Sequence, residues 1–188
     1  MKRDVEDKTI LDKFLLDFVK VTERHAKYMV VGGFIAITHG RSRGTEDIDM
    51  IIERLPEDKF TALHNDLVKA GFECMQSENP DVIYEYLKNN DGVRYIRKEI
   101  FVPEMELKFA KDILDEYGLK TRTKLPDTKL DVYFANIDVT IAFKEELLGT
   151  DKDMEDARHL RILYANNINE EEIKDIKKKI RVLRLGKR

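Results

Sequence analysis

One stretch, residues 28–53, constrains the fold of this chain more than any other. An apolar run, YMVV, ends at Gly32 and Gly33 and is followed by the segment FIAITH. A loop with glycine and arginine comes next, and then the alternating run DIDMIIE. Side chains alternate between the faces of a strand, so Asp47 and Asp49 should project from one face, about 6–7 Å apart. The stretch predicts a strand, a tight turn, a short helix and an acid-bearing strand.

The composition is compatible with a folded core. The chain has 188 residues, of which 42% are hydrophobic and 38% are charged. We therefore expect one compact domain, or one domain with a small appendage. The net charge of −3 and the isoelectric point of about 5.9 give no overall attraction to nucleic acid, although they allow a local basic patch.

The cysteine content and the apolar patterning predict the compartment. Cys74 is the single cysteine, so no intramolecular disulfide is expected. The charged start, MKRDVEDKT, does not resemble a signal peptide. No apolar run approaches the ~18 residues that a membrane span needs. We expect a cytoplasmic protein with no membrane partner.

Apolar periodicity predicts a mixture of helices and strands. In residues 9–27, apolar positions recur at spacings of three and four, which indicates an amphipathic helix. Residues 77–91 are ambiguous, and residues 111–117 predict a short helix or turn closed by Gly118. Further helices are predicted at 34–39, 56–70, 138–148, 150–165 and 170–183, and strands at 28–31, 48–53, 72–76, 93–98, 100–110, 123–125 and 130–134.

The order of these elements predicts an α+β fold, with a mixed β-sheet flanked by helices and a C-terminal helical segment. We assign residues 1–136 to the core and residues 137–188 to the helical segment packed on it. Thr150 and Asn169 are the predicted N-caps of the last two helices.

The acid pair predicts a metal site. Two carboxylates on one strand face repel each other unless a cation lies between them. Mg²⁺ is a natural partner because it binds carboxylate, water and phosphate oxygens. Two such ions, ~3.5–4 Å apart, can hold the attacking and leaving oxygens of a nucleotidyl transfer. Asp47 and Asp49 are therefore candidate metal ligands.

The glycine pair predicts a phosphate site beside the acids. A Gly-Gly turn between a strand and a helix lets backbone N–H groups approach an anion closely. Arg41 and Arg43 can add positive charge beside the phosphates. Each part alone has a simpler interpretation, because Asp-x-Asp is often a solvated edge and Gly-Gly is often a turn. The ordered set is a more specific signal.

That set resembles the signature of the DNA polymerase beta superfamily of nucleotidyltransferases. It is most similar to the minimal-type and abortive-infection toxin-type members, some of which act in type IV toxin–antitoxin pairs. The resemblance implies a polymerase beta-like fold, an NTP substrate, and Mg²⁺, or Mn²⁺ in its place, as cofactor. It also implies that an acid pair and a third acid bind metal while the glycine turn binds the triphosphate. The matching residues are Gly32, Gly33, His39, Gly40, Arg43, Thr45, Asp47 and Asp49.

The resemblance continues into residues 141–160. The family carries a lysine there, followed by a Lys-Asp-x-x-Asp-Ala run. Lys144 is a candidate for contact with the triphosphate, and its alternative is a solvated helix lysine. The run itself fits a helix cap better than a substrate contact. The matching residues of the run are Lys152, Asp153, Asp156 and Ala157.

The third acid departs from the family pattern, which has Asp between apolar residues. Glu106, in MELKFA, is the better placed equivalent, and Asp131, in KLDVYF, is the other strand-borne candidate. Lys108 is predicted to lie on the same face as Glu106. The assigned catalytic and metal-binding residues are Asp47, Asp49 and Glu106. The assigned nucleotide-binding residues are Gly32, Gly33, Arg43, Thr45 and Lys144.

Three functional hypotheses follow. The first is a Mg²⁺-dependent nucleotidyltransferase that moves an NMP from an NTP to a hydroxyl or phosphate acceptor, which is tRNA, protein or a small molecule. The second is a nucleotide-binding regulatory or toxin–antitoxin component, with a cognate antitoxin as partner and weak or no turnover. The third is a structural domain without a ligand.

Overall fold

The computed structural model describes residues 9–42, 44–45 and 47–186, and it confirms the predicted α+β class. The helices are α1 (Ile10–Thr22), α2 (Gly33–Thr38), α3 (Glu57–Lys69), α4 (Pro80–Lys88), α5 (Ile113–Thr121), α6 (Ile137–Phe143), α7 (Asp151–Leu163) and α8 (Glu170–Arg184). The strands are β1 (Tyr28–Val31), β2 (Asp47–Ile52), β3 (Phe72–Cys74), β4 (Val93–Arg97), β5 (Ile100–Phe109), β6 (Thr123–Lys124) and β7 (Tyr133–Phe134).

Within the described residues, seven strands form one mixed sheet in the order β3-β4-β5-β2-β1-β7-β6. The strand β2 is antiparallel to β1 and parallel to β5, and β1 is parallel to β7. The remaining neighbours are antiparallel. This order puts the acid-bearing strand at the centre of the sheet, between two strands that come from distant parts of the chain.

The two faces of the sheet have different roles. Alternate residues of β2, such as Met50, are fully buried. On that face Phe18 of α1 contacts Tyr95, and Phe60 of α3 contacts Phe109. Asp49, Glu104 and Glu106 point to the opposite face and are partly buried, and Asp47 on the same face is exposed. Apolar side chains of α1 and α3 therefore pack on one face, and the acids lie on the other.

Local sequence signals determine several helix ends. The Thr150 side chain accepts a hydrogen bond from the Asp153 N–H, and Asn169 accepts from the Glu171 and Glu172 N–H groups. Both predicted N-caps are therefore confirmed. The ambiguous stretch 77–91 contains α4, whose N-cap is Asn79.

Two predicted boundaries are wrong. Gly118 does not end a helix, because α5 continues through it to Thr121. A Cβ atom at Gly118 would lie 2.8 Å from Cε of Met29, so this glycine permits close packing of α5 on β1. The strand predicted at 130–134 consists only of β7, because a short 3-10 turn, Pro126–Thr128, precedes it. The helix predicted at 138–148 is helical over those residues, with α6 followed directly by a π-helical segment, Lys144–Leu148, that is capped by Gly149.

The C-terminal helices pack on the sheet domain. Ile173, Ile176 and Ile180 of α8 belong to the same buried apolar cluster as the residues of β1 and β2. Arg184, at the end of α8, makes ion pairs with Asp112 and Asp115 at the start of α5, at 2.9 Å and 2.6 Å. The division at residue 136 stays a prediction. None of the helices in the described residues is both long and apolar enough to cross a membrane.

Candidate active site

The centre of the site is a row of acids on two parallel strands. Asp47 lies opposite Glu104 in the β2–β5 register, and Asp49 lies opposite Glu106. The structure thus brings Glu106 to the acid pair from a strand more than fifty residues away. Glu104 was missed by sequence reasoning, although it has the same alternation along β5 as Glu106.

Asp131, the other candidate for the third acid, lies elsewhere. It precedes β7, which pairs with β1 on the side away from β2. Its side chain is 83% exposed, and its carboxylate lies 2.5 Å from Nζ of Lys124. The expectation that Asp131 is borne on a strand is wrong, because the chain becomes extended only at Tyr133.

Asp49 and Glu106 form a coupled carboxyl pair. Burial raises the pKa of Asp49 to about 7, and the hydrogen bond to Glu106 and its negative charge act in the same direction. Burial also opposes ionisation of Glu106, but hydrogen bonds from Asp49 and Lys108 hold its pKa below the ordinary value. Without a metal ion, the arrangement favours a proton on Asp49 and a negative charge on Glu106.

Lys108 supplies a positive charge beside this carboxyl pair. Its Nζ lies 2.6 Å from Oε2 of Glu106. Both side chains pass close to Gly92 of the neighbouring segment, where a Cβ atom would lie 2.8 Å from Glu106 Oε1 and from Lys108 Cε. The sequence places Glu106 and Lys108 on one face, but it contains no signal for their contact or for the space at Gly92.

Asp47 is held by the loop that precedes β2. The Thr45 hydroxyl donates to Oδ1 of Asp47 at 2.6 Å, so the predicted nucleotide-binding threonine orients an acid in this structure. Arg43, the other predicted nucleotide-binding residue of this loop, lies outside the described residues.

Gly32 covers the Asp49 carboxylate. Its backbone has φ +76° and ψ −152°, a conformation open almost only to glycine. A Cβ atom there would overlap the Asp49 carboxylate oxygen. Gly33 is the first residue of α2, directly after this close approach. Gly32 thus brings backbone directly against Asp49, and the binding of phosphate by the two glycines stays a prediction.

Lys144 is not a solvated lysine. Its side chain is 2% exposed, and its Nζ lies 2.8 Å from Asp156 Oδ2 and 3.2 Å from Asp153 Oδ1. Asp156, fully buried, also accepts a hydrogen bond from Arg41 of the loop after α2. We call Arg41, Lys144, Asp153 and Asp156 the buried ion network. It connects α7 to the loop that leads into β2.

A cavity of about 470 Å³ opens beside the acids, between the sheet and helices α5, α6 and α8. Much of its wall is apolar, and charged groups lie among the apolar ones. The apolar wall includes Met29, Val31, Ile51, Leu114, Val139 and Phe143. The charged groups are Asp49, Lys108, Lys111, Asp115, Lys144 and Arg184.

The acids fit a magnesium ion in ligand type, although the site is not fully assembled. Among the described residues, no three His, Cys, Asp or Glu side chains are arranged to hold a metal. Mg²⁺ is commonly held by one or two carboxylates together with water and phosphate oxygens. Burial, followed by the hydrogen bond to Glu106 and its negative charge, raises the pKa of Asp49, and a divalent cation beside Asp49 would favour its ionised form. Asp47 and Asp49, with Glu106 adjacent, are suitable donors.

Comparison with known proteins gives structural matches only. No protein-family model and no curated protein matches the chain. The solution structure of the antibiotic-resistance factor ANT(2'')-Ia has a TM-score of 0.56 and 14% identity, covering 94% of each chain. The crystal structure of ANT(2'')-Ia in complex with adenylyl-2''-tobramycin has the same score and identity, covering 93% of this chain and 98% of that one.

A third structure agrees. It is an antigenic nucleotidyltransferase-like protein from Paracoccidioides brasiliensis, with a TM-score of 0.51 and 18% identity, covering 93% of this chain and 89% of that one. These matches extend over nearly the whole chain, and they confirm the polymerase beta-like nucleotidyltransferase fold inferred from the motif. The toxin-type subdivision stays a prediction.

Proposed function

We propose that this protein is a Mg²⁺-dependent nucleotidyltransferase that moves an NMP from an NTP to an acceptor and releases pyrophosphate. The main support is the pairing of Asp49 with Glu106 across β2 and β5, beside Asp47 and at the edge of the cavity. Carboxylates in such a group are costly to a fold, and they are typical of sites that bind a divalent cation.

Each residue has a role in this proposal. Asp47 and Asp49 hold Mg²⁺, or Mn²⁺ in its place, which neutralises charge on the triphosphate. The backbone at Gly32 and Gly33 receives the phosphates, where no side chain intervenes. Glu106 accepts the proton of the acceptor hydroxyl as its oxygen bonds to the α-phosphorus and the bond to the β-phosphate oxygen breaks.

The remaining assigned residues also bind the triphosphate in this proposal. Lys144 lines the cavity, and its ammonium has three N–H donors, of which the buried ion network uses two. The third is available to a phosphate oxygen. Thr45 and Arg43 complete the set in the loop before β2.

The charges on the described wall of the cavity are largely compensated by ion pairs. Lys108 and Lys144 each contact a carboxylate, and Arg184 is paired with Asp115. The charge of the wall therefore does not select among tRNA, protein and small-molecule acceptors, and the acceptor panel includes all three.

The test is transfer of label from α-³²P NTPs, with Mg²⁺, to a panel of tRNA, protein and small hydroxyl compounds, with tobramycin as a polyamine. Asp49→Asn and Glu106→Gln should each lower the rate at least about 100-fold. The matched control Asp131→Asn removes an exposed carboxyl outside the site and should retain the wild-type rate. Label transfer that survives a combined Asp47→Asn and Asp49→Asn change would contradict the proposal.

A second function is favoured by one observation, the ion pair of Glu106 with Lys108. A third acid that is engaged by a lysine suits a nucleotide-binding regulatory or toxin–antitoxin component with weak or no turnover. In that case calorimetry would detect Mg²⁺-dependent binding of a nonhydrolysable NTP, and no acceptor in the panel would take up label. A cognate antitoxin would then be the expected partner.

A further inference from the structure

The acids on the two parallel strands differ in how their charge is compensated. On β5, Glu104 lies 2.9 Å from Nε of Arg94, and Glu106 lies 2.6 Å from Nζ of Lys108. On β2, no cation of the described residues lies within ion-pair distance of Asp47 or Asp49. Each of these two acids of β5 therefore has a cation beside it, Arg94 from β4 or Lys108 from β5 itself, and among the described residues the two acids of β2 have none.

The contact between Lys108 and Glu106 is built into the sheet. The two residues are neighbours on one face of β5, and both side chains pack against the backbone at Gly92, with no room for a Cβ atom. The carboxylate of Glu106 also lies beside Asp49. A lysine ammonium thus contacts the carboxylate that a second metal ion would need as a ligand.

We propose that Lys108 takes the place of a second metal ion, so that the site binds one divalent cation, on Asp47 and Asp49. The proposal rests on the function proposed above. In a two-metal site, two divalent cations lie about 3.5–4 Å apart and share acidic ligands. An ammonium group that contacts one of those acidic ligands repels a second divalent cation. It also supplies part of the positive charge that this second cation would provide. Lys108 is a positioning residue that acts through Glu106.

The arrangement has a consequence for Glu106. Because Lys108 contacts it at a crowded point of the sheet, Glu106 is oriented by a fixed partner. In the proposed reaction, this carboxylate would accept the proton of the acceptor hydroxyl.

The experiment is a count of bound Mn²⁺ per chain by electron paramagnetic resonance, with a saturating nonhydrolysable NTP. The wild-type protein should bind one ion, and Lys108→Met should bind two. Lys108→Arg retains the positive charge and should bind one. The matched control is Lys124→Met, which removes a strand lysine paired with the remote Asp131 and should also bind one.

Two outcomes would overturn the inference: two Mn²⁺ ions in the wild-type protein, or one in a folded Lys108→Met variant. The number of Mn²⁺ ions bound by the wild type tests the inference even if Lys108→Met fails to fold. Circular dichroism would detect such a failure. Absence of any bound Mn²⁺ in the wild-type protein would overturn the proposed function as well. A count of two with label transfer intact would overturn only the inference.

Discussion

Gly32 and Asp49 pack so closely that residue 32 has no room for a side chain. A Cβ atom on Gly32 would overlap the carboxylate oxygen of Asp49. The contact arises because Val31, the residue before Gly32, lies opposite Asp49 in the antiparallel β1–β2 pair. The turn that leaves β1 must therefore pass directly over the acid.

Gly32→Ala should reduce both stability and ligand binding. The backbone strain costs about 1–3 kcal/mol, and the overlap with Asp49 adds displacement of a metal ligand. We expect affinity for Mg²⁺ and a nonhydrolysable NTP to fall at least tenfold, measured by calorimetry.

The control is Gly149→Ala, at φ +62° with no atom within 4 Å of the new Cβ. It should cost about 1 kcal/mol and leave binding unchanged. Equal binding losses in both variants would contradict the role of Gly32.

The Gly-Gly signal was readable from the sequence because strand and helix periodicities change at that point. The acid pair was readable because Asp47 and Asp49 alternate with buried apolar residues. The proximity of Glu106 to Asp49 could be found only from the strand order, since the two residues meet through the parallel pairing of β2 with β5. Sequence periodicity carries no information about which strands become neighbours.

Other features depend on packing between distant elements and were not predictable. Lys144 stands between the apolar run IAF and two glutamates in the sequence, which does not indicate an ion pair for its side chain. The side chain is buried because α7 brings Asp153 and Asp156 to it. Gly118 has the appearance of a helix end, yet it allows α5 to approach Met29. In both cases the sequence drew attention to the residue but did not indicate which distant residue it would contact.

In metal-free protein, Asp49→Asn should increase stability while it removes activity. The pKa of Asp49 is raised to about 7, so the folded state holds a proton that the unfolded state has released. Stability contributed by this group is therefore lost as the pH rises from about 4 towards 7. The advantage of Asp49→Asn over wild type should grow by about 1–2 kcal/mol between pH 5 and pH 8.

Urea unfolding with EDTA at both pH values measures this difference. Asp131→Asn is the control, because an exposed carboxyl should change the free energy of unfolding by less than about 0.5 kcal/mol. Added Mg²⁺ should raise the unfolding midpoint of the wild type and not of Asp49→Asn. A variant that is less stable than wild type at pH 8 without metal would contradict the repulsion between Asp49 and Glu106.

The buried ion network should be strongly coupled. Lys144→Met removes the ammonium that two carboxylates share, and Asp156→Leu removes a carboxylate that Lys144 and Arg41 share. Each single change should cost about 3–5 kcal/mol, because it breaks a buried ion pair and leaves the charges of the network unbalanced. The double variant should cost less than the sum by at least about 1 kcal/mol.

Denaturant unfolding of the wild type, the two single variants and the double variant measures the coupling energy between Lys144 and Asp156. The comparison variant is Lys88→Met, which breaks an exposed pair with Glu85 and should leave the free energy of unfolding nearly unchanged. Additive costs for Lys144→Met and Asp156→Leu would show that the two residues act independently. In the folded Lys144→Met variant, weaker NTP binding would support the proposed third N–H donor.

His39 should make stability depend on pH. Burial lowers its pKa, and its neutral ring bonds Ile35 O through Nδ1 and the Tyr164 hydroxyl through Nε2, both at 2.7 Å. Nδ1 therefore donates and Nε2 accepts. Because the folded-state pKa is below the unfolded one, the stabilisation is complete above about pH 6.5 and is lost as the pH falls.

Between pH 7.5 and pH 5, the wild type should lose more free energy of unfolding than His39→Gln, by no more than about 2 kcal/mol. Urea unfolding of both proteins at the two pH values measures this, and the other titrating groups are common to both. Tyr164→Phe retains the ring packing and removes the hydroxyl that donates to Nε2. It should lessen the loss at pH 5, because protonation at Nε2 then breaks no hydrogen bond. If the wild type and His39→Gln lost equal free energy of unfolding between pH 7.5 and pH 5, His39 would not be the group responsible.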